Sequence, residues 1–195
     1  MKWLYAHIAD IPANEYDRLY AALSPSRRAR VDRLKQSDDR KRSLAGEWLL
    51  KKLLRDAYGI TDVVLETAPN GRPLLADSAL YVSIAHSDGA VVCAVSDTPV
   101  GIDIERIRPI DLRLARRVCV AEEAAYLFGH APTEADMRDT EDVALLTRFF
   151  EIWTAKEAYF KRCGTGITEL KSVNILPLKR QIFHRDGYLI QIIDE

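Results

Sequence analysis

The segment Val100-Gly101-Ile102-Asp103-Ile104-Glu105 constrains this chain more than any other. Val100, Ile102 and Ile104 alternate with small or charged positions, the pattern of a buried strand. Residues two apart on a strand point to the same face, so Asp103 and Glu105 share one. Two carboxylates at that range repel each other unless a cation or a proton sits between them. An otherwise apolar strand raises the expense. A Mg²⁺ ion with oxygen ligands is the natural resolution.

Glu157 is the candidate third oxygen donor. Leu146, Phe149, Phe150, Trp153, Glu157 and Phe160 follow helical spacing, which puts Glu157 on the apolar stripe of a long helix. Lys161 lies one turn further along on the same side. The plainer alternative is an acid neutralised by Lys161 and a solvated pair at a strand end. Each half of the pattern alone fits that alternative. The order is more specific: a strand with D-x-E, then a long apolar helix carrying W-x-x-K-E-x-x-x-K from Trp153 to Lys161.

With 195 residues, 48% of them apolar, the chain can bury a real core as one domain or two small ones. The net charge of −1 argues against a whole-molecule nucleic-acid binder. Charge is nevertheless uneven. Ser24 to Arg42 holds Arg27, Arg28, Arg30, Arg33, Lys35, Arg40, Lys41 and Arg42 against three aspartates, and a second arginine group follows at Arg106, Arg108, Arg113, Arg116 and Arg117. The three cysteines have no metal-ligand spacing, and Cys93 reads as core. A reduced, cytoplasmic setting is expected, with no signal peptide or membrane span visible.

Along the chain, Trp3 to Ile8 reads as a strand. Ser24-Pro25 is a helix start, a capping hydroxyl followed by proline at the first helical position. Arg42 to Tyr58 is an amphipathic helix that Gly59 is placed to end. Val63 to Thr67 is a short strand, and Pro69 to Pro73 a turn. Leu80 to Ile84 and Ala90 to Val95 are strands flanking His86. Helical segments follow near Leu112 to Val118 and Ala121 to Phe128, then a long helix over about Val143 to Arg162. Ser172 to Leu176 and Tyr188 to Ile193 read as closing strands.

V-G-I-D-I-E followed by W-T-A-K-E-A-Y-F-K resembles the two-part signature of the 4′-phosphopantetheinyl transferases, and more narrowly their surfactin-type branch. The likeness extends from about Ser24 to Ile175. It implies an α+β fold of two similar α/β halves about a pseudo-twofold axis, residues 1–97 and 98–195. The second half should have a shortened closing sheet, because the chain is short after Val173. It also implies transfer of the phosphopantetheine arm of coenzyme A to a serine of an apo acyl or peptidyl carrier protein, with Mg²⁺ held by Asp103, Glu105 and Glu157.

A site for coenzyme A needs several cations, preferably arginine forks. By the resemblance, Arg27, Arg30, Arg42 and Arg72 fall where the family contacts the nucleotide end. Arg28 and Arg33 read as a solvated helix face. A lone histidine is more often structural, but His86 matches the histidine of the family's N-[IV]-S-H-S motif. This chain departs from that motif at Ser83 and Ala85. Lys156 and Lys161 belong to the signature; Lys161 is expected to meet the pyrophosphate, and Lys156 either to do likewise or to lie on a solvated helix face. By the resemblance, either Glu157 or a metal-bound water takes the serine proton, and Glu123 either orients that water or is a surface residue of the Glu122-Glu123 pair. The arginines from Arg106 to Arg117 are expected to form a docking surface for an acidic carrier protein, and the enzyme is expected to be a monomer. Two rivals remain open from sequence: a Mg²⁺-dependent phosphohydrolase using the same carboxylates, and a non-catalytic module that binds coenzyme A or a carrier protein.

Overall fold

The computed structural model describes residues 1–166 and 169–195. In chain order the elements are β1 (Lys2–His7), α1 (Ala13–Ala21), α2 (Pro25–Asp32), α3 (Ser37–Tyr58), β2 (Leu65–Thr67), β3 (Pro73–Leu75), β4 (Tyr81–Ser87), β5 (Ala90–Ser96) and β6 (Gly101–Arg106). There follow β7 (Ile110–Asp111), α4 (Ala115–Val118), α5 (Ala121–Phe128), β8 (Asp139–Thr140), α6 (Val143–Cys163), β9 (Gln181–Arg185) and β10 (Tyr188–Ile193). The fold is α+β, with small antiparallel sheets and two long helices.

Two three-stranded sheets organise the molecule, one in the order β1-β5-β4 and the other β6-β10-β9. The run Ala90 to Ser96 is buried at every position, which explains why its sequence is continuously apolar rather than alternating. Val91, Cys93 and Val95 pack under Leu49, Leu50, Leu53 and Leu54 of α3. Val92 and Ala94 face the other way, into a core shared with Ile102, Ile104, Ile190 and Ile192 of the second sheet. The opposite face of that second sheet is covered by α6, with Phe149, Phe150, Ile152 and Ala155 against Leu189. Since Ile102 and Ile104 take the sheet-to-sheet face, Asp103 and Glu105 must take the face covered by α6.

Gly101 sets how close that helix lies. A Cβ at this position would stand 1.8 Å from the Ala158 carbonyl oxygen and 2.7 Å from the Arg162 nitrogen, both main-chain atoms of α6. The helix therefore rests on bare backbone of β6. Gln191, in register with Asp103, ties β10 to the same helix. Its amide donates to the Glu151 carbonyl and the Thr154 hydroxyl, each at 2.6 Å.

The sheets meet edge to edge at β4 and β6. No main-chain ladder joins these strands among the described residues. Serine hydroxyls take its place. Ser83 Oγ accepts from Ile102 N at 3.1 Å, and Ser87 Oγ from Arg106 N at 3.2 Å. The equal offset of the two pairs makes the strands parallel.

Several boundaries differ from the sequence expectation. His86 lies within β4 rather than in a connection, because the ladder to β5 runs on through Ser87↔Ala90. The stretch Ser172 to Leu176 is not a strand. It begins in a single 3₁₀ turn, Leu170–Ser172, and its polar main-chain atoms are engaged by buried side chains instead of a neighbouring strand. A closing hairpin does follow. Asp186 and Gly187 have φ of 52° and 80°, the left-handed pair that a two-residue hairpin turn requires. They join β10 to the unanticipated strand β9. No described helix is long and apolar enough to cross a membrane.

Gly101→Ala is expected to destabilise the protein by about 3 kcal/mol or more, since main chain cannot yield as a side chain does. Urea unfolding measures this, and a near-native midpoint would refute the close contact.

Candidate active site

One cleft, of about 340 Å³, opens between α2, α3, the turn before β3, β4 and the C-terminal end of α6. Arg27, Arg30, Arg42, Arg72, His86 and Lys161 all line it. Six of the residues singled out from sequence for coenzyme A thus share one cavity.

Local structure explains each placement. Ser24 caps α2, accepting from Arg27 N at 3.4 Å, and its hydroxyl donates to the Leu65 carbonyl at 2.7 Å. This fixes the helix whose arginines form one wall. Arg27 is buried and paired with Glu47 at 3.1 Å. Arg30 donates to the Gly71 carbonyl at 3.1 Å. Gly71 has φ of 86°, and a Cβ there would press on the Arg30 guanidinium at 2.9 Å. Glycine therefore serves both the turn and the arginine. Burial, with Arg27 alongside, holds the Arg30 guanidinium below its ordinary pKa.

Asn70 closes the cleft from above. Its side-chain carbonyl accepts from Arg72 N at 3.1 Å, and its amide donates to the Gly164 carbonyl at 2.6 Å. Gly164 is the left-handed cap of α6. Neither Asn70 nor Ser43, which receives a bond from Arg27 at 3.3 Å, was picked out from sequence. Asn70-Gly71 announces a turn, but nothing in one sequence shows what the asparagine reaches. His86 opens into the cleft. Partial desolvation by the cleft wall, then the charges of Lys161 and Arg42, depress its imidazole pKa.

Beneath the cleft lies the acidic cluster. Lys161 Nζ stands 2.5 Å from Asp103 Oδ1 and 3.8 Å from Glu157 Oε2. Glu105 Oε2 accepts from Ser87 Oγ at 2.8 Å and stands 3.9 Å from Arg108. Asp103 is buried, and its Oδ2 has no hydrogen-bond partner among the described residues. Among the described residues no three His, Cys, Asp or Glu side chains are drawn into a ready-made metal cage. The ammonium of Lys161 is the cation at Asp103 and Glu157. The donor set nevertheless suits Mg²⁺: three carboxylates, all hard oxygen, with one buried oxygen unpaired.

Burial raises the Asp103 pKa from 3.8 to about 7, with Lys161 pulling it back and Glu157 and Glu105 adding to it. Burial also raises Glu157, where Lys161 opposes and Glu105 adds. Burial lowers Lys161, but Asp103, Glu157 and Glu105 together outweigh it and leave its pKa raised.

Lys156 and Glu123 require correction. Neither lines the cleft. Both are fully buried and pair with each other at 2.7 Å. Lys156 also donates to the carbonyls of Leu170 at 2.7 Å and Val173 at 2.6 Å. Glu123 accepts from Val120 N at 2.9 Å and Ile175 N at 2.8 Å. The pair is a strut binding the segment after α6 to α5 and α6, and Lys156 cannot meet a pyrophosphate from there. The arginines expected to dock a carrier, Arg106, Arg108, Arg113, Arg116 and Arg117, are all exposed. Arg106 pairs with Asp88, Arg108 with Glu105, Arg113 with Asp111 and Arg116 with Glu134.

Two family models match the chain. The 4′-phosphopantetheinyl transferase superfamily covers residues 99–190, and the N-terminal model of 4′-phosphopantetheinyl transferase covers residues 12–98. The chain is 34% identical over 157 residues to the 4′-phosphopantetheinyl transferase psf-1 of Bacillus pumilus, spanning 79% of this chain and 63% of that one. It is 33% identical over 175 residues to the 4′-phosphopantetheinyl transferase HetI of a Nostoc species, spanning 85% and 70%. With 4′-phosphopantetheinyl transferase Sfp of Bacillus subtilis it shares 28% over 170 residues, 85% and 71% of the two chains. The chain thus spans somewhat less than two thirds of the length of psf-1.

Two outcomes follow from the charges. Without metal, the folded protein retains a proton on Asp103 that the unfolded chain releases, so stability should fall as pH rises from 3.8 to about 7. Urea unfolding in a chelator across that window checks this. Asp103→Asn should flatten the slope, and an unchanged slope would remove Asp103 as its source. Separately, Lys156→Met should cost about 3–5 kcal/mol by stranding Glu123, and Lys156→Met with Glu123→Leu should recover much of it. If the double variant is as unstable as the single one, the ion pair is not the source of the loss.

Proposed function

This chain belongs to the 4′-phosphopantetheinyl transferase superfamily, and on that footing we propose that it transfers the 4′-phosphopantetheine arm of coenzyme A to a serine of an apo acyl or peptidyl carrier protein. The observation that carries this reading is the sharing of Lys161. It lines the cationic cleft and touches the acidic cluster beneath it. A substrate with two phosphate groups held by arginines would therefore present its pyrophosphate at Asp103, Glu105 and Glu157.

Arg27, Arg30, Arg42 and Arg72 bind and orient the nucleotide end, with Arg27 held by Glu47, Arg30 by the Gly71 carbonyl and Arg42 by Asp39. His86 lies beside Lys161 and Arg42 and, with its depressed pKa, binds phosphate as a neutral donor. Asp103, Glu105 and Glu157 are the residues that would hold Mg²⁺. When bound, the ion supplies charge neutralisation for the pyrophosphate. Glu157 receives the proton of the attacking serine hydroxyl, and its raised pKa brings it closer to the range suited to a general base. The serine oxygen forms a bond to the β-phosphorus. The bond from that phosphorus to the bridging oxygen breaks, and adenosine 3′,5′-bisphosphate leaves. Lys161 balances the charge of the leaving group.

We read the chain as two related halves, 1–97 and 98–195. In each, a single strand is followed by a long helix and then a hairpin. The hairpin's second strand is central and pairs with the first strand, giving β1-β5-β4 and β6-β10-β9. The closing sheet of the second half keeps three strands, as the first half does, so the difference between the halves lies instead in the connection between α6 and β9. There the described residues hold one 3₁₀ turn, where the first half has the β2–β3 ribbon. Arg117, exposed and without a carboxylate partner among the described residues, is the freest cation for an acidic carrier protein. A monomer in a reducing cytoplasm suits the reading.

Incubation with coenzyme A, Mg²⁺ and an apo carrier protein tests it by mass spectrometry. A phosphopantetheine adduct on the carrier is expected. Free hydrolysis products would favour a phosphohydrolase, and no change a binding module. Asp103→Ala should reduce transfer at least roughly 100-fold, the range for losing a group that serves transition-state charge. Near-native transfer by that variant would sink the metal assignment.

A further inference from the structure

Ser87 ends β4, next to a residue already placed in the cleft. His86 turns into the cleft, and Ser87, its strand neighbour, turns the other way. Its hydroxyl accepts from Arg106 N at 3.2 Å and donates to Glu105 Oε2 at 2.8 Å. A hydroxyl has one proton, and a main-chain N–H can only donate. Arg106 N therefore claims a lone pair of Ser87 and leaves its single proton for Glu105. The direction of the bond is dictated by backbone, not by rotamer choice.

Glu105 has a competing partner. Arg108, exposed and three residues on, stands 3.9 Å from the same oxygen. The arginine draws the carboxylate toward solvent, and the serine holds it at the strand end. Ser83 provides an internal contrast. It makes the equivalent bond to the main chain, from Ile102 N at 3.1 Å, and has no carboxylate partner among the described residues. Both serines join β4 to β6, but only Ser87 also restrains an acid.

We propose that Ser87 is a positioning residue, fixing the Glu105 carboxylate for divalent-cation binding through the hydroxyl that bridges β4 to β6. This rests on the reading that Asp103, Glu105 and Glu157 hold the cation. Ser87 touches neither substrate nor metal in this scheme. It links the phosphate wall of the cleft to the acidic cluster, since His86 and Ser87 are consecutive residues of β4.

The test measures binding of Mn²⁺, followed by the loss of the free-ion paramagnetic resonance signal, to the full chain saturated with coenzyme A. Ser87→Ala is expected to weaken binding about 10-fold, the lower end for losing a partner that orients a metal ligand. Ser87→Thr, which keeps the hydroxyl, should restore it. Ser83→Ala should lower the urea midpoint and leave Mn²⁺ affinity unchanged. If Ser87→Ala binds as tightly as the parent while Asp103→Asn does not, the proposal falls and the metal reading stands. If Ser83→Ala and Ser87→Ala weaken binding alike, the joint between strands is responsible and the proposal again falls. A parent protein that binds no Mn²⁺ overturns the metal reading and the proposal together.

Discussion

The contact between α6 and the bare backbone of β6 at Gly101 governs the rest of the molecule. With main-chain atoms of the helix where a Cβ would be, α6 lies nearer to the strand than any residue but glycine at this position allows. Glu157 and Lys161, one turn apart, then come down beside Asp103. A helix held farther off by even one methyl group would leave Asp103 to face its repulsion from Glu105 alone. The desolvation of Asp103 is tolerable because the ammonium of Lys161 arrives with the same helix that buries it.

Two lysines on one helix show how the same pairing rule produces different roles. Lys156 is sealed off from solvent, with every proton directed at a fixed oxygen. Lys161 is partly open and meets its carboxylates at the floor of a cleft. A buried ion pair with saturated hydrogen bonds has no alternative partners and serves as a strut. A pair at a cavity wall can exchange partners when a charged ligand enters.

Much of this was legible in one sequence. The alternation around Asp103 and the helical stripe containing Glu157 follow from periodicity, and the Ser24 cap from residue chemistry. The gathering of Arg27, Arg30, Arg42, Arg72 and His86 was reached through family likeness. Lys156 misled because adjacency in sequence is about 100° of rotation on a helix. Glu157 faces the cluster, and its neighbour faces the core on another side. Its partner Glu123 lies on a different helix, a distance that no local pattern records. Strand β9 escaped notice because it is an edge strand, mostly exposed, without the alternation that marks a half-buried one. Ser172 to Leu176 carries apolar residues at strand-like spacing, but side chains rather than a neighbouring strand satisfy its backbone.

The seam between β4 and β6 differs in kind from the ladders on either side of it. A ladder fixes the distance between strands by peptide geometry, whatever the side chains are. A seam closed by hydroxyls takes its width from the residues chosen, and serine is among the shortest polar spacers available. Replacing one spacer by a longer one would shift the two sheets relative to each other while leaving each sheet's own pairing intact. The gap between the arginine wall and the acidic floor is thus adjustable by single substitutions. The fold carries, at its midline, a gauge that evolution can reset without redesigning either half.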